Sequence, residues 1–268
     1  MDPHQLLRIY DDELRREAPF FDSEVRLVRD EPVVRLIGPT ADAGNNCVLY
    51  SQLDGASAPA VIEREIRYFQ ALGHSFEWKH HDHDQPPELG SLLAASGFQA
   101  GEKEEILAAP LGGLLDDAPP PGYSVREVAA EASLASILEV QQAVWPELQH
   151  GWLFDSLQRE RDARPEAIFF HAVWHEERPV CVGWMRLHGR FAALFGGATL
   201  AEYRGRGLYR ALLAARLQVA RQRGATWGLV DAGPMSRPIL KRLGFATLTG
   251  STPYVYECGP GALDGKAG

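Results

Sequence analysis

From residue 123 onward the apolar and polar positions change period in a readable order. "YSVREVA" alternates as a strand, and "SLASILEVQQAV" carries apolar residues at helical spacing. "LFDSLQRERDA" predicts a further short helix. "AIFFHAVWHEERPVCVGWMRLHGRFAALFGGATL" reads as a three-strand meander, turning at His175–Arg178 with Pro179 and again at His188–Arg190. Next comes a helix with Leu208, Ala211, Leu212, Ala215 and Val219 on one face. A strand "TWGLVDA", a short helix "SRPILKRLGF" and a last strand "PYVYECG" follow.

The first half closes in the same order: strand "NCVLYSQL", helix "PAVIEREIRYFQAL", strand "SFEWKHH", helix "ELGSLLAASGF" and strand "EILAAPL". Both short helices end in Gly-Phe, at Gly97-Phe98 and Gly244-Phe245, 147 residues apart. Glycine ending a helix before an apolar residue is common chemistry; its agreement with four neighbouring elements predicts a duplicated domain. "LDDAPPPGYS", Leu115–Ser124, reads as the linker. The expected domains are therefore 1–115 and 122–260, each α/β with a mixed sheet.

Composition narrows the picture further. The chain has 268 residues, a formal charge of −9, 45% hydrophobic and 24% charged residues. These values are ordinary for a globular protein. The acidic balance argues against nucleic-acid binding, which needs a basic face, and leans toward a cationic partner. Cys47, Cys181 and Cys258 are too few and too scattered for a disulfide framework or a metal knuckle. The start, "MDPHQLLRIYDDELRREAPF", lacks the apolar core of a signal peptide, and no run approaches the roughly 18 apolar residues of a membrane span. A cytoplasmic protein with no membrane partner is expected; the oligomeric state is not legible.

The densest motif is "AEYRGRGLYRALL", with two glycines and three arginines between Arg204 and Arg210. It contains neither a P-loop nor a dinucleotide fingerprint, the latter failing at Arg210. It fits Arg/Gln-x-x-Gly-x-Gly/Ala except at the last position, Tyr209. Here the second half resembles the GNAT superfamily of N-acetyltransferases, in element order as well as motif. The resemblance implies two tandem GNAT-like domains, each a mixed, mostly antiparallel sheet flanked by helices, the N-terminal one degenerate. It also implies acetyl-CoA as co-substrate, with its pyrophosphate at Arg204, Gly205, Arg206, Gly207, Leu208, Tyr209 and Arg210. Unpaired helix-start amides and the helix dipole suit such an anion. Gly197, Ala198 and Thr199 match the strand backbone that holds the acyl carbonyl and pantetheine. Ser236 and Arg237 fall where relatives contact the coenzyme. A glycine pair inside an apolar strand, Gly196-Gly197, independently suggests a bulge or a close approach; a kink without ligand is the alternative. The family's usual tyrosine falls at Leu240, so the acid step lacks its usual residue.

Acyl transfer to an amine needs a base, a polarised carbonyl and a proton for the leaving sulfur. No Asp, Glu or His lies between Phe191 and Leu200. Glu147 and Tyr254 are the candidate catalytic side chains, with His150 and Tyr256 beside them, and Trp145 and Trp152 as candidate pocket walls; packing or solvation competes for each. "KHHDHDQPP" offers His80, His81, His83 and Asp84, but at no defined metal spacing, so a solvated loop without metal is expected. Before the first-half helix, Asp54 and Pro59 replace the glycine turn, with Glu63 and Glu65 following; these disfavour an anion there. The reading is acetyl transfer to an amine, most simply a small molecule, with a protein acceptor open. A non-catalytic acyl-CoA sensor and an unrelated phosphate-ligand-binding protein are the rivals.

Overall fold

Asp2 and Pro3 start the first helix, α1 (Pro3–Tyr10): the Asp2 carboxylate accepts from the Gln5 amide at 3.3 Å, and proline occupies a position whose amide would have no partner. The helix passes into a π-helical turn, Asp11–Arg16. The computed structural model describes residues 1–19, 22–113, 117–128, 131–146 and 150–259. These fall into two units, 1–20 with 24–106 and 247–268, and 21–23 with 107–246.

In the first unit β1 (Arg26–Asp30), β2 (Val33–Ile37) and β3 (Asn46–Ser51) are antiparallel neighbours. Helix α2 (Ala58–Leu72) then crosses to β4 (Phe76–His81), parallel to β3. Helix α3 (Leu89–Ala95) and the short β5 (Gln99–Ala100) follow. The core is Val48 on β3, Ile62 and Phe69 on α2, Phe76 and Trp78 on β4 and Leu93 on α3, with the Phe69 and Phe76 rings stacked at 4.2 Å. Buried Glu65 on α2 is paired bidentately by Arg35 on β2, which also reaches Asp30 at 2.8 Å.

The histidine segment is not the solvated loop its polarity predicts. His81 and Asp84 are buried, and Arg15, only 1% exposed, donates to both Asp84 oxygens at 2.8 and 2.9 Å and to Asp11 at 2.7 Å. Tyr10 Oη lies 3.0 Å from His81 Nε2. Burial, then the positive charge of Arg15, holds the His81 imidazole well below its ordinary pKa. The counter-charge arrives from the π-helical turn, more than sixty residues earlier in sequence. Among the described residues no group of three or more His, Cys, Asp or Glu side chains is arranged to hold a metal ion.

The second unit receives the end of β6 (Glu104–Pro110), then β7 (Tyr123–Glu127), α4 (Glu131–Val144) and α5 (His150–Ala163). The meander β8 (Ile168–His175), β9 (Arg178–His188) and β10 (Phe191–Thr199) leads to α6 (Leu208–Gln222), β11 (Trp227–Ala232) and α7 (Arg237–Arg242). Its sheet order is β6-β11-β10-β9-β8-β7, antiparallel from β10 to β7 and parallel between β10 and β11. Ile137, Val140, Phe154 and Leu157 pack on one set of sheet residues, and Leu213, Leu217 and Leu240 on another.

The chain's last strand, β12 (Ala246–Tyr256), is the surprise. The sequence order attaches it to the second half, yet it pairs antiparallel with β4 (Tyr254 opposite Trp78) and with β5, and belongs to the first unit from Thr247 on. Conversely, Leu107, Ala109 and Leu111 from the first half lie in a core of the second. The duplication is visible at atomic detail. Gly97 and Gly244 have φ of 97° and 92°, and the amides of Phe98 and Phe245 each donate to the carbonyl five residues back, Leu93 and Leu240, at 3.1 Å. Both helices thus end in the same glycine-terminated closure.

Among the described residues no helix is long and apolar enough to cross a membrane.

Candidate active site

Three elements of the second unit build the site: β10, the turn after it, and the start of α6. β10 and β11 are in parallel register only from Phe191 opposite Trp227 to Leu194 opposite Val230. Beyond Leu194, β10 stays paired with β9, but its register shifts between Phe195 and Ala198. Gly196 sits in that bulge at φ 59°, and a side chain there would collide with the Trp184 ring. A Cβ on Gly197 would lie 2.8 Å from the Tyr209 ring. Glycine is thus required at Gly196 by backbone and by space, and the expected bulge at Gly196-Gly197 is present.

Two buried side chains serve the bulge, and sequence reasoning missed both. Gln141 of α4 donates Nε2 to the Gly196 carbonyl at 2.5 Å. Arg216 of α6 donates Nη1 to the Trp184 carbonyl at 3.1 Å and to the Phe195 carbonyl at 3.3 Å. The apolar stripes held the signal: Gln141 continues Leu134 and Ile137 at i+7 and i+4, and Arg216 continues Leu208 and Leu212 at i+8 and i+4. A polar side chain on a stripe that faces the core must find a buried partner. Arg216 is 1% exposed and has no carboxylate partner among the described residues. Its charge, after burial itself, pushes the nearby His171 down to about 3, so that imidazole is neutral. Burial likewise raises the Tyr209 phenol and drives the Cys181 thiol up to about 11. None of these three groups is poised to exchange protons near neutrality.

The turn leads from Thr199 through Arg204 to the helix start. Gly205 and Gly207 have φ of 75° and 79°, and a Cβ on either would meet nothing within 4 Å. Gly207 is the N-cap of α6 and gives it no side-chain cap. The arginines are oriented by local partners: Arg204 Nε donates to the Thr199 carbonyl at 3.1 Å, Arg206 to Tyr123 Oη at 2.9 Å and the Glu202 carbonyl at 2.8 Å, and Arg210 pairs with Asp117 at 2.7 Å. The helix start therefore offers uncapped amides, open space and three nearby cations, a suitable seat for a phosphate or pyrophosphate.

The structure gathers Gly197, Ala198, Thr199, Arg204, Gly205, Arg206, Gly207, Leu208, Tyr209 and Arg210 on one strand–turn–helix segment. Ser236, the N-cap of α7, points its hydroxyl toward the Gly233 carbonyl at 3.4 Å, and Arg237 opens that helix. Leu240 is fully buried in the core, as Leu93 is in the first unit. Candidate Tyr254 belongs to the first unit, on β12 beside the core that contains Trp78, together with Tyr256. Glu147 lies outside the described residues, and His150 opens α5. Trp145 packs against the core of the second unit.

The chain is similar to known proteins in sequence and in fold. Residues 136–245 match the acetyltransferase (GNAT) family. A Bacillus subtilis (strain 168) protein named "Uncharacterized protein YyaT" is 25% identical over 122 residues, covering 46% of this chain and 82% of its own. Among solved structures, a GCN5-related N-acetyltransferase from Kribbella flavida is similar over 96% of this chain and 95% of its own, with a TM-score of 0.72 at 18% identity. A tandem GNAT protein from the clavulanic acid biosynthesis pathway covers 90% of this chain and 86% of its own, with a TM-score of 0.63 at 15% identity. The mixed α/β fold, a largely antiparallel sheet flanked by helices, is shared over most of the chain with these structures, the second of which is a tandem GNAT protein.

Proposed function

We propose that the chain, whose residues 136–245 match the GNAT acetyltransferase family, moves an acetyl group from acetyl-CoA to the amine of a small molecule. One observation carries the reading: an uncapped helix start with two left-handed, unobstructed glycines follows directly on a strand that leaves its parallel neighbour at a glycine bulge. The amides of Gly205 to Arg210 and the charges of Arg204, Arg206 and Arg210 suit the pyrophosphate. Gly197, Ala198 and Thr199 offer strand backbone to the pantetheine arm, and Ser236 and Arg237 are assigned to the coenzyme by family resemblance. The coenzyme supplies an activated thioester.

In the transfer, the amine lone pair forms a bond to the acyl carbon, the C–S bond breaks with its electron pair going to sulfur, and one amine proton is given up. Bulge amides near Gly197 would polarise the carbonyl. β10 carries no acid or base, and buried Leu240 stands where the family resemblance would put a tyrosine, so an amine arriving neutral and a proton from water fit this chain best. A panel of amines assayed with acetyl-CoA by release of free thiol tests the reading. Amine-dependent thiol supports it; binding of acetyl-CoA with no turnover on any amine or protein terminus favours the second reading, an acyl-CoA sensor, for which buried Leu240 speaks.

A further inference from the structure

A bulge removes regular ladder partners from its own backbone, and buried carbonyls must find others. At the β10 bulge the replacements are the two polar side chains that interrupt otherwise apolar helix faces. Gln141 is 2% exposed and Arg216 1%. Gln141 holds the Gly196 carbonyl, and Arg216 holds the preceding carbonyl, Phe195, together with that of its register partner Trp184. Consecutive peptides are therefore gripped from two different helices, α4 and α6.

A trans peptide is planar, with its C=O and N–H pointing in opposite directions. Fixing the Gly196 carbonyl on Gln141 aims the Gly197 N–H the other way, and fixing the Phe195 carbonyl on Arg216 does the same for the Gly196 N–H. Glycine at φ 59° has no side chain to set these orientations, and its peptide can swing; the two side chains remove that freedom. The contrast with the first unit is instructive. There the buried charge on the corresponding helix, Glu65, is neutralised by Arg35. Arg216 has no carboxylate partner among the described residues: it donates to main-chain carbonyls and interacts with the Tyr209 hydroxyl, and its Nε has no hydrogen-bond partner. A buried cation kept without a counter-ion is costly, which argues that its contacts with the bulge matter more than local stability.

We propose that Gln141 and Arg216 are positioning residues that aim the bulge amides, the Gly197 N–H above all, at the oxygen of the acyl carbonyl. The inference rests on the acetyl-CoA reading above and adds to it the groups that preorganise carbonyl polarisation.

The test uses the full chain and acetyl-CoA labelled with 13C at the acetyl carbonyl, read by difference infrared spectroscopy beside binding calorimetry. On wild-type protein the thioester stretch moves to lower wavenumber than in water. In Gln141→Met and Arg216→Met the coenzyme still binds, but that shift shrinks; Arg216→Lys, which keeps a donor, restores part of it. With any amine that turns over, the rate falls on the order of 10²-fold in Gln141→Met, the scale of a misplaced reacting group. A full shift in both methionine variants, or a bound but unshifted carbonyl in the wild type, overturns this inference alone. No binding by the wild type overturns the acetyl-CoA reading and this inference with it.

Discussion

Trp184 fills the space that a side chain on Gly196 would need, and Arg216 spans the carbonyls on either side of the same contact. At this scale the site is an arrangement of buried polar atoms in an apolar wall, and its titration follows from burial. His171 is 3% exposed and pushed down to about 3 by desolvation and the nearby guanidinium. Its folded pKa lies below its unfolded value of about 6.5, so the unfolded chain binds a proton that the native chain refuses as pH falls. The stabilisation is complete above that value and is lost progressively toward pH 3, at about 1.4 kcal/mol per pH unit once the unfolded histidine is protonated. Denaturant titrations between pH 4 and 6.5 should give a shallower pH dependence for His171→Asn than for wild type by that amount; parallel curves would contradict the assignment. The glycines of the turn and bulge were legible in sequence because a glycine pair in a strand and a Gly-x-Gly turn have few ordinary uses. Gln141 and Arg216 were not read, because periodicity alone does not tell a snorkelling side chain from one buried on a carbonyl.

At the scale of elements, the two halves repeat one another as the order of strands and helices predicted, down to the glycine closures at Gly97 and Gly244. The repeats differ at the helix that follows the central strand. α6 starts uncapped at Gly207, whereas the amides of Ala56 and Ser57 before α2 donate to the Asp54 carboxylate at 3.0 and 2.7 Å. An anion at α2 would find the nearby amides taken and a negative charge in place. Inside α2, Glu65 is matched by Arg35. Arg64 also donates to Glu65, at 2.8 Å, so Arg35→Met removes the buried one of two guanidinium partners; it should cost about 1–3 kcal/mol, and the double variant with Glu65→Leu should regain most of it. Equal loss in both, measured by chemical denaturation, would show that packing rather than charge decides the site. The histidine segment shows why polarity misleads at this scale: His81 and Asp84 looked solvated only while Arg15, in a π-helical turn that no apolar period announces, was unassigned.

Over the whole molecule, the proline-rich linker marks a gap in sequence but not the limit of either unit. β12 pairs with β4 of the first unit, and Leu107, Ala109 and Leu111 pack in a core of the second. Pairing partners are not encoded in the period of a single strand, so this exchange could not be read from the chain alone. Residues 1–115 expressed alone lack β12, and residues 122–260 lack Leu107–Leu111. Neither piece should therefore give the dispersed amide spectrum of the intact chain, and two independently folded halves would contradict the strand assignment. The proposed function places acetyl-CoA on the second unit, at the start of α6, and nowhere else on the chain. Titration calorimetry on the intact protein and on Gly207→Glu tests it most directly. Gly207 is exposed, with open space around it, so the variant should keep the native circular dichroism while placing a carboxylate against the pyrophosphate at a left-handed backbone position. The prediction is one equivalent of acetyl-CoA for wild type and none for Gly207→Glu; two equivalents, or one that survives the substitution, would contradict it.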